Sequence, residues 1–96
     1  MAAYVIADVE VFDREAIKDY QQRVPETLAP FGGRFLVRGG ACETLEGEWQ
    51  PQRVVVIEFP DAAAAKAWYA SPAYQAVLPI RLRNSRARFL LLAEGV

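Results

Sequence analysis

The sequence predicts an α+β chain of order βαββαβ, an antiparallel sheet with helices on one face. Two patterns carry this expectation. Four short runs, Tyr4–Val11, Gly33–Arg38, Arg53–Phe59 and Arg86–Ala93, alternate their side chains in the period of two that half-buried strands show. Between the first and second runs, and again between the third and fourth, the pattern changes to helical spacing and strong helix formers. Two such halves joined by the turn-rich segment Gly39–Gln52 describe a ferredoxin-like sandwich. At 96 residues the chain is expected to fill one domain, 1–96.

Each element has a local reason. In the first strand Val5, Ala7, Val9 and Val11 face one way and Ile6, Asp8 and Glu10 the other. Asp13 is placed to cap a helix running to about Ala29, with Ile17, Tyr20, Val24 and Leu28 on one stripe. Pro25 lies inside that stripe and predicts a kink or early loosening, while Pro30 and the Gly32–Gly33 pair end the helix. The second strand divides into Phe35 and Val37 against Arg34, Leu36 and Arg38. Gly39–Gln52, containing Trp49, reads as a loop or hairpin arm. The third strand divides into Val55, Ile57 and Phe59 against Val54, Val56 and Glu58. Asp61 caps a second helix over Ala62–Ala70. Ser71 followed by Pro72 starts a third, to about Arg83, which Pro79 is expected to bend or break. The last strand divides into Phe89, Leu91 and Ala93 against Arg88, Leu90 and Leu92.

Composition excludes several chemistries. The chain has no histidine, which removes imidazole bases, histidine-ligated zinc and a histidine-held haem. Cys42 is the single cysteine, so neither an intrachain disulfide nor a multi-cysteine metal site can form, and no cofactor or metal is expected. A net charge of −1 gives no basic field for nucleic acid. No apolar stretch is long enough to span a membrane and the first residues do not read as a signal peptide, so a cytoplasmic location is expected.

If the wholly apolar strand faces pack on the helices, the mixed faces are left uncovered. Their aliphatics, Ile6, Leu36, Val54, Val56, Leu90 and Leu92, make too large a patch to leave in water. A second copy placed sheet to sheet would cover it, so a homodimer through sheet faces is expected. Asp8, Arg38 and Glu58 share this mixed face in the register read above. One arginine beside two carboxylates would lower the pKa of its partner, and burial or like charge would raise the other's. Asp8 and Glu58 are therefore candidate proton-handling groups, with Arg38 orienting a carboxylate or enolate. Arg34 and Arg88 are candidate mouth residues for an anionic ligand, and Tyr69 and Tyr74 candidate rim residues. Tyr20 and Trp68 read as packing. Two functional readings stay open: a small-molecule-binding dimer, with cofactor-independent catalysis in the inter-sheet cleft as an option, and a non-enzymatic module whose charged face fixes dimer register.

The segments GGRFLVRGG (32–40), RVVVIEFP (53–60) and AWYASPAYQ (67–75), with Tyr4-Val5-Ile6, Glu46-Gly47-Glu48-Trp49 and the Arg81–Arg83 region, resemble the small bacterial family called domain of unknown function 1330. The resemblance covers essentially the whole chain. It implies a dimeric α/β barrel made of two ferredoxin-like subunits with their sheets facing, and no established activity or cofactor. The wider superfamily with this barrel includes cofactor-free monooxygenases, isomerases, haem enzymes and polyketide-processing proteins. Carrying any one of those chemistries across rests on fold alone.

Overall fold

The computed structural model describes residues 1–96. Its elements run β1 (Ala3–Val11), α1 (Ile17–Leu28), a 3-10 turn at Ala29–Phe31, β2 (Arg34–Arg38), β3 (Val54–Phe59), α2 (Ala62–Ala70), α3 (Pro72–Asn84) and β4 (Ser85–Glu94). The four strands form one sheet in the order β2-β3-β1-β4, and every neighbouring pair is antiparallel. This is the ferredoxin-like α+β fold. The helices lie on one face only, and the molecule is a slab of 35 × 34 × 17 Å, thin enough for just two layers.

The helix signals act as their chemistry requires. Asp13 Oδ1 accepts from the amides of Glu15 (3.1 Å) and Ala16 (3.0 Å), organising the turn that leads into α1. Asp61 Oδ1 accepts from Ala64 N at 2.7 Å, and Ser71 Oγ from Tyr74 N at 3.2 Å. Ser71 alone separates α2 from α3. Neither internal proline breaks its helix: α1 is continuous through Pro25 to Leu28, and α3 through Pro79 to Asn84. The absent amide of Pro25 leaves the carbonyl of Gln21, four residues earlier, without its helical donor. A guanidinium NH of Arg38 donates to it instead.

Trp68, 1 % exposed, anchors the core between the layers. Its ring packs against Tyr74 (4.2 Å between centroids) and Phe59 (5.4 Å). Its indole NH donates to Thr27 Oγ1 at 3.0 Å, and Thr27 donates onward to the Val24 carbonyl at 2.7 Å. A large ring with a polar edge can be buried because that edge finds a partner. Val5, Ile57, Val24, Leu28, Val77 and Leu78 complete the packing.

Two β-bulges correct the faces read from strict alternation. β2 is in register as Arg34↔Glu58 and Phe35↔Ile57, then shifts so that Val37 faces Val56 and Arg38 faces Val55. One extra residue, Leu36, turns everything after it over. Val37 therefore joins the open face and Arg38 the helix-covered face, the reverse of the sequence expectation. In β4 the register runs Asp8↔Phe89, then Val9↔Ala87, with Arg88 the extra residue. Phe89, Leu91 and Ala93 lie on the open face, and Leu90 and Leu92 pack on the core beneath the helices. The expected order for that strand is inverted, yet the bulge leaves Arg88 on the open side, lining a shallow cleft with Asp8, Glu10 and Arg86.

Candidate functional site

The layer between sheet and helices is not completely filled. A cavity of about 60 Å³ lies there, its floor formed by apolar side chains of β1 and β3 such as Val5, Ala7 and Val55. Tyr20, Tyr74, Arg81, Arg38 and Arg53 are set into these apolar walls, and none of the 17 lining residues is acidic. Arg38 and Arg53 also line an outer cleft with Lys18 and Gln21, so they mark the mouth. A second outer cleft of about 440 Å³ adjoins along Val9, Val11, Ile17, Gln21 and Arg53.

Three features set the chemistry of the cavity. The hydroxyls of Tyr20 and Tyr74 are 2.8 Å apart, with their rings edge-on. Burial, reinforced by Tyr74, drives the Tyr20 pKa well above the usual tyrosine range, and the charge of Arg81 and its hydrogen bonding to the Tyr20 hydroxyl pull the other way without prevailing. The Tyr20 hydroxyl is thus suited to donate a hydrogen bond rather than to act as a base at neutral pH. Arg81, in the last turn of α3, is 7 % exposed, and its Nε has no hydrogen-bond partner. At the mouth, burial and the neighbouring Arg38 push the Arg53 pKa down. Gly39 makes room for Arg53: it takes the left-handed conformation at φ 75°, and a Cβ there would collide with the Arg53 guanidinium.

On the opposite face Asp8 serves a different purpose. Its carboxylate is 1 % exposed and accepts from Trp49 Nε1 (2.9 Å) and the amides of Gln52 (2.9 Å) and Arg53 (3.1 Å). The Trp49 ring rests on Phe89, 5.4 Å between centroids. Asp8 thereby ties the long 39–53 segment onto the open end of the sheet. Burial alone would raise its pKa, but the bonds from Trp49, Arg53 and Gln52, with the charge of Arg88, outweigh that and hold it below the usual carboxylate value.

The residues singled out from sequence separate into three places. Asp8 and Arg88 share one end of the open face. Glu58 sits four positions along β3 from Val54, the partner of Asp8, or about 13 Å away at strand spacing. It is paired with Arg34 at 2.7 Å. Arg38, exposed at the end of β2, and Tyr74, buried on α3, border the cavity between sheet and helices. The Asp8–Arg38–Glu58 constellation is therefore not assembled. Tyr69 stacks against Trp68 and Tyr74 but is 40 % exposed and does not line the cavity. Sequence reading missed Arg81 and Arg53 and set Tyr20 aside as packing. A signal for Arg81 was present: it falls seven residues after Tyr74, on the stripe of Tyr74, Val77 and Leu78 that α3 buries. No His, Cys, Asp or Glu side chains gather in a group of three that could hold a metal ion, and no helix is long and apolar enough to cross a membrane.

The ferredoxin-like architecture recurs in solved structures of low sequence identity. A protein of unknown function from Rhodopseudomonas palustris is 19% identical with a TM-score of 0.74, the match covering 99% of this chain and 82% of that one. A dimeric ferredoxin-like protein of unknown function from Jannaschia sp. CCS1 is 15% identical with a TM-score of 0.72, covering 99% and 100%. SnoaB, a cofactor-independent oxygenase from Streptomyces nogalater, is 15% identical with a TM-score of 0.67, covering 99% and 93%. No curated protein matches the chain. Within this fold the chain belongs to the family described as Domain of unknown function (DUF1330), which matches residues 2–96.

Proposed function

We propose that this protein is a homodimer that binds a small organic molecule in the cavity between its sheet and its helices. The observation that carries the proposal is the cavity itself: apolar walls into which a few polar groups converge, the usual character of a small-molecule site. Dimerisation is supported by the open face, where Leu36 (47 %), Val37 (37 %) and Leu91 (44 %) are exposed beside half-buried Ile6, Val54 and Val56. The dimeric Jannaschia neighbour is consistent with a second copy covering that face. In this reading Asp8 and the Glu58–Arg34 pair act structurally, fixing the loop and the register of the open face. Proton handling by Asp8 and Glu58 in an inter-sheet cleft loses support, because both are engaged in hydrogen bonds or ion pairs and stand far apart.

A catalytic version is favoured by one observation, the Tyr20–Tyr74 hydroxyl pair on the cavity wall. One hydroxyl of the pair donates to the other, and the remaining O–H can donate to an enolate oxygen that forms in a bound substrate, with no cofactor required. That the SnoaB neighbour is a cofactor-independent oxygenase suits this version by fold analogy alone.

The test is a thermal-shift screen of purified protein against organic acids, phenolics and acyl compounds, with mass measured by light scattering. Wild type should show a dimer mass and a raised melting temperature with at least one compound class. Ala7→Leu, which fills the cavity from β1, should abolish that shift while leaving the dimer intact. A shift that survives in Ala7→Leu would place the ligand elsewhere, and a monomer mass would refute the dimer.

A further inference from the structure

We infer that the cavity is a site for an elongated organic dianion taken head-first, with Arg81 holding the inner acid group and Arg38 and Arg53 the outer one. This rests on the reading that the cavity binds a small molecule, and specifies what that molecule must be.

The argument begins with Arg81. An arginine cannot lose its proton to relieve burial, and a buried guanidinium without a counter-charge costs several kcal/mol. The chain has 12 acidic residues, yet none lines the cavity and Arg81 takes part in no ion pair. The position of Arg81 in the last turn of α3 offsets only part of that cost, since the helix dipole contributes about 1 kcal/mol. An arginine serving only to stabilise the fold would be expected to have a carboxylate beside it. A buried fork with a free Nε instead suits an anion that arrives from outside, and a planar carboxylate matches the fork.

Size and charge then determine the rest of the ligand. An apolar cavity of about 150 Å³ takes up benzene. The 60 Å³ here fits a carboxylate head and a short piece of chain, so the remainder must pass the mouth into the outer cleft lined by Lys18, Gln21, Arg38 and Arg53. There it meets Arg38 and Arg53, two like charges held together, one of them partly desolvated and seated in the space left by Gly39. Three guanidinium groups around one cavity are better neutralised by two acid groups than by one.

The experiment is calorimetric titration of malonate, glutarate, adipate and suberate against propionate, valerate, caproate and caprylate. Wild type, Arg53→Gln and Arg81→Met are compared. At one chain length wild type should prefer the dicarboxylate by about tenfold, the value of one charge-assisted contact. Arg53→Gln should remove that preference and keep the monocarboxylate, while Arg81→Met should bind neither. Without ligand Arg81→Met should melt higher than wild type, which a stabilising structural role for Arg81 would not allow. If the methionine chain does not fold, Arg81→Lys, which keeps charge but loses the fork, should show the same loss of acid binding. Equal binding of mono- and dicarboxylates, unchanged by Arg53→Gln, overturns the dianion and leaves the cavity reading standing. Binding of neutral phenols or acyl compounds alone overturns any anion site. If no compound in this set or the thermal-shift screen binds, both readings fall.

Discussion

On the open face of the sheet every carboxylate has a partner, whereas beneath the helices three guanidinium groups line a cavity that contains no carboxylate. Asp8 collects three hydrogen bonds, Glu10 pairs with Arg86 at 3.0 Å and Glu58 with Arg34 at 2.7 Å. The covered face has Arg38 bonded to a helix carbonyl and stacked over Phe35, Arg53 against Gly39, and Arg81 with an unpartnered Nε. Charges that complete one another within the chain serve the fold. A charge left incomplete in a low-dielectric layer, as that of Arg81 is, costs stability, and a site for an external group is a physical use for such an arrangement. The face that looked chemically equipped from the sequence thus has its carboxylates partnered within the chain, and the face that looked like plain core carries the candidate site.

The largest effect expected on the open face is from Asp8→Ala. It removes the acceptor of two backbone amides and an indole NH in a part-buried place and should cost about 2 kcal/mol in urea unfolding. Asp8→Asn should cost less, since one oxygen can still accept. A loss below about 0.5 kcal/mol for Asp8→Ala would show that the loop is not held there, and would break the comparison. The sign is opposite to that expected for Arg81→Met.

Acid titration sharpens the same point with a smaller effect. The Asp8 carboxyl sits below its ordinary value of 3.8, so the folded chain binds fewer protons there than the unfolded chain. The stability it lends is complete above that value and is lost as pH falls through the lower folded value. Protonation should release Trp49, seen as a change in tryptophan emission as pH falls below the ordinary carboxylate value of 3.8. That transition should be absent or much reduced in Asp8→Asn. An undiminished transition in the variant would assign it to other carboxylates.

The smallest effect is expected at the Glu58–Arg34 pair. The Arg34 side chain is 71 % exposed, and water screens the pair. Arg34→Gln should change stability by at most about 1 kcal/mol. If it changes the dimer–monomer equilibrium measured by ultracentrifugation far more than monomer stability, Glu58 and Arg34 fix subunit register.

Much of this protein was determined locally and so could be read from the residues alone. Asp61, Ser71 and Pro72 start helices through bonds spanning three residues, and the alternation in β1 and β3 matches the faces those strands present. The element order follows from such local signals with the connections they allow. What the sequence left undetermined depended on single extra residues and on long-range neighbours. A bulge at Leu36 moved Arg38 through the sheet, and one at Arg88 exchanged the faces of β4. A period of two has no memory that survives an inserted residue, and whether a strand bulges is decided by its partner. Asp8 could be placed on its face from the alternation of β1. Only the return of the chain more than forty residues later, bringing Trp49, Gln52 and Arg53 over it, made it a structural anchor rather than a free acid. The burial of Arg81 away from any carboxylate was likewise a decision of tertiary packing, because a counter-charge is supplied or withheld by whatever the fold places alongside.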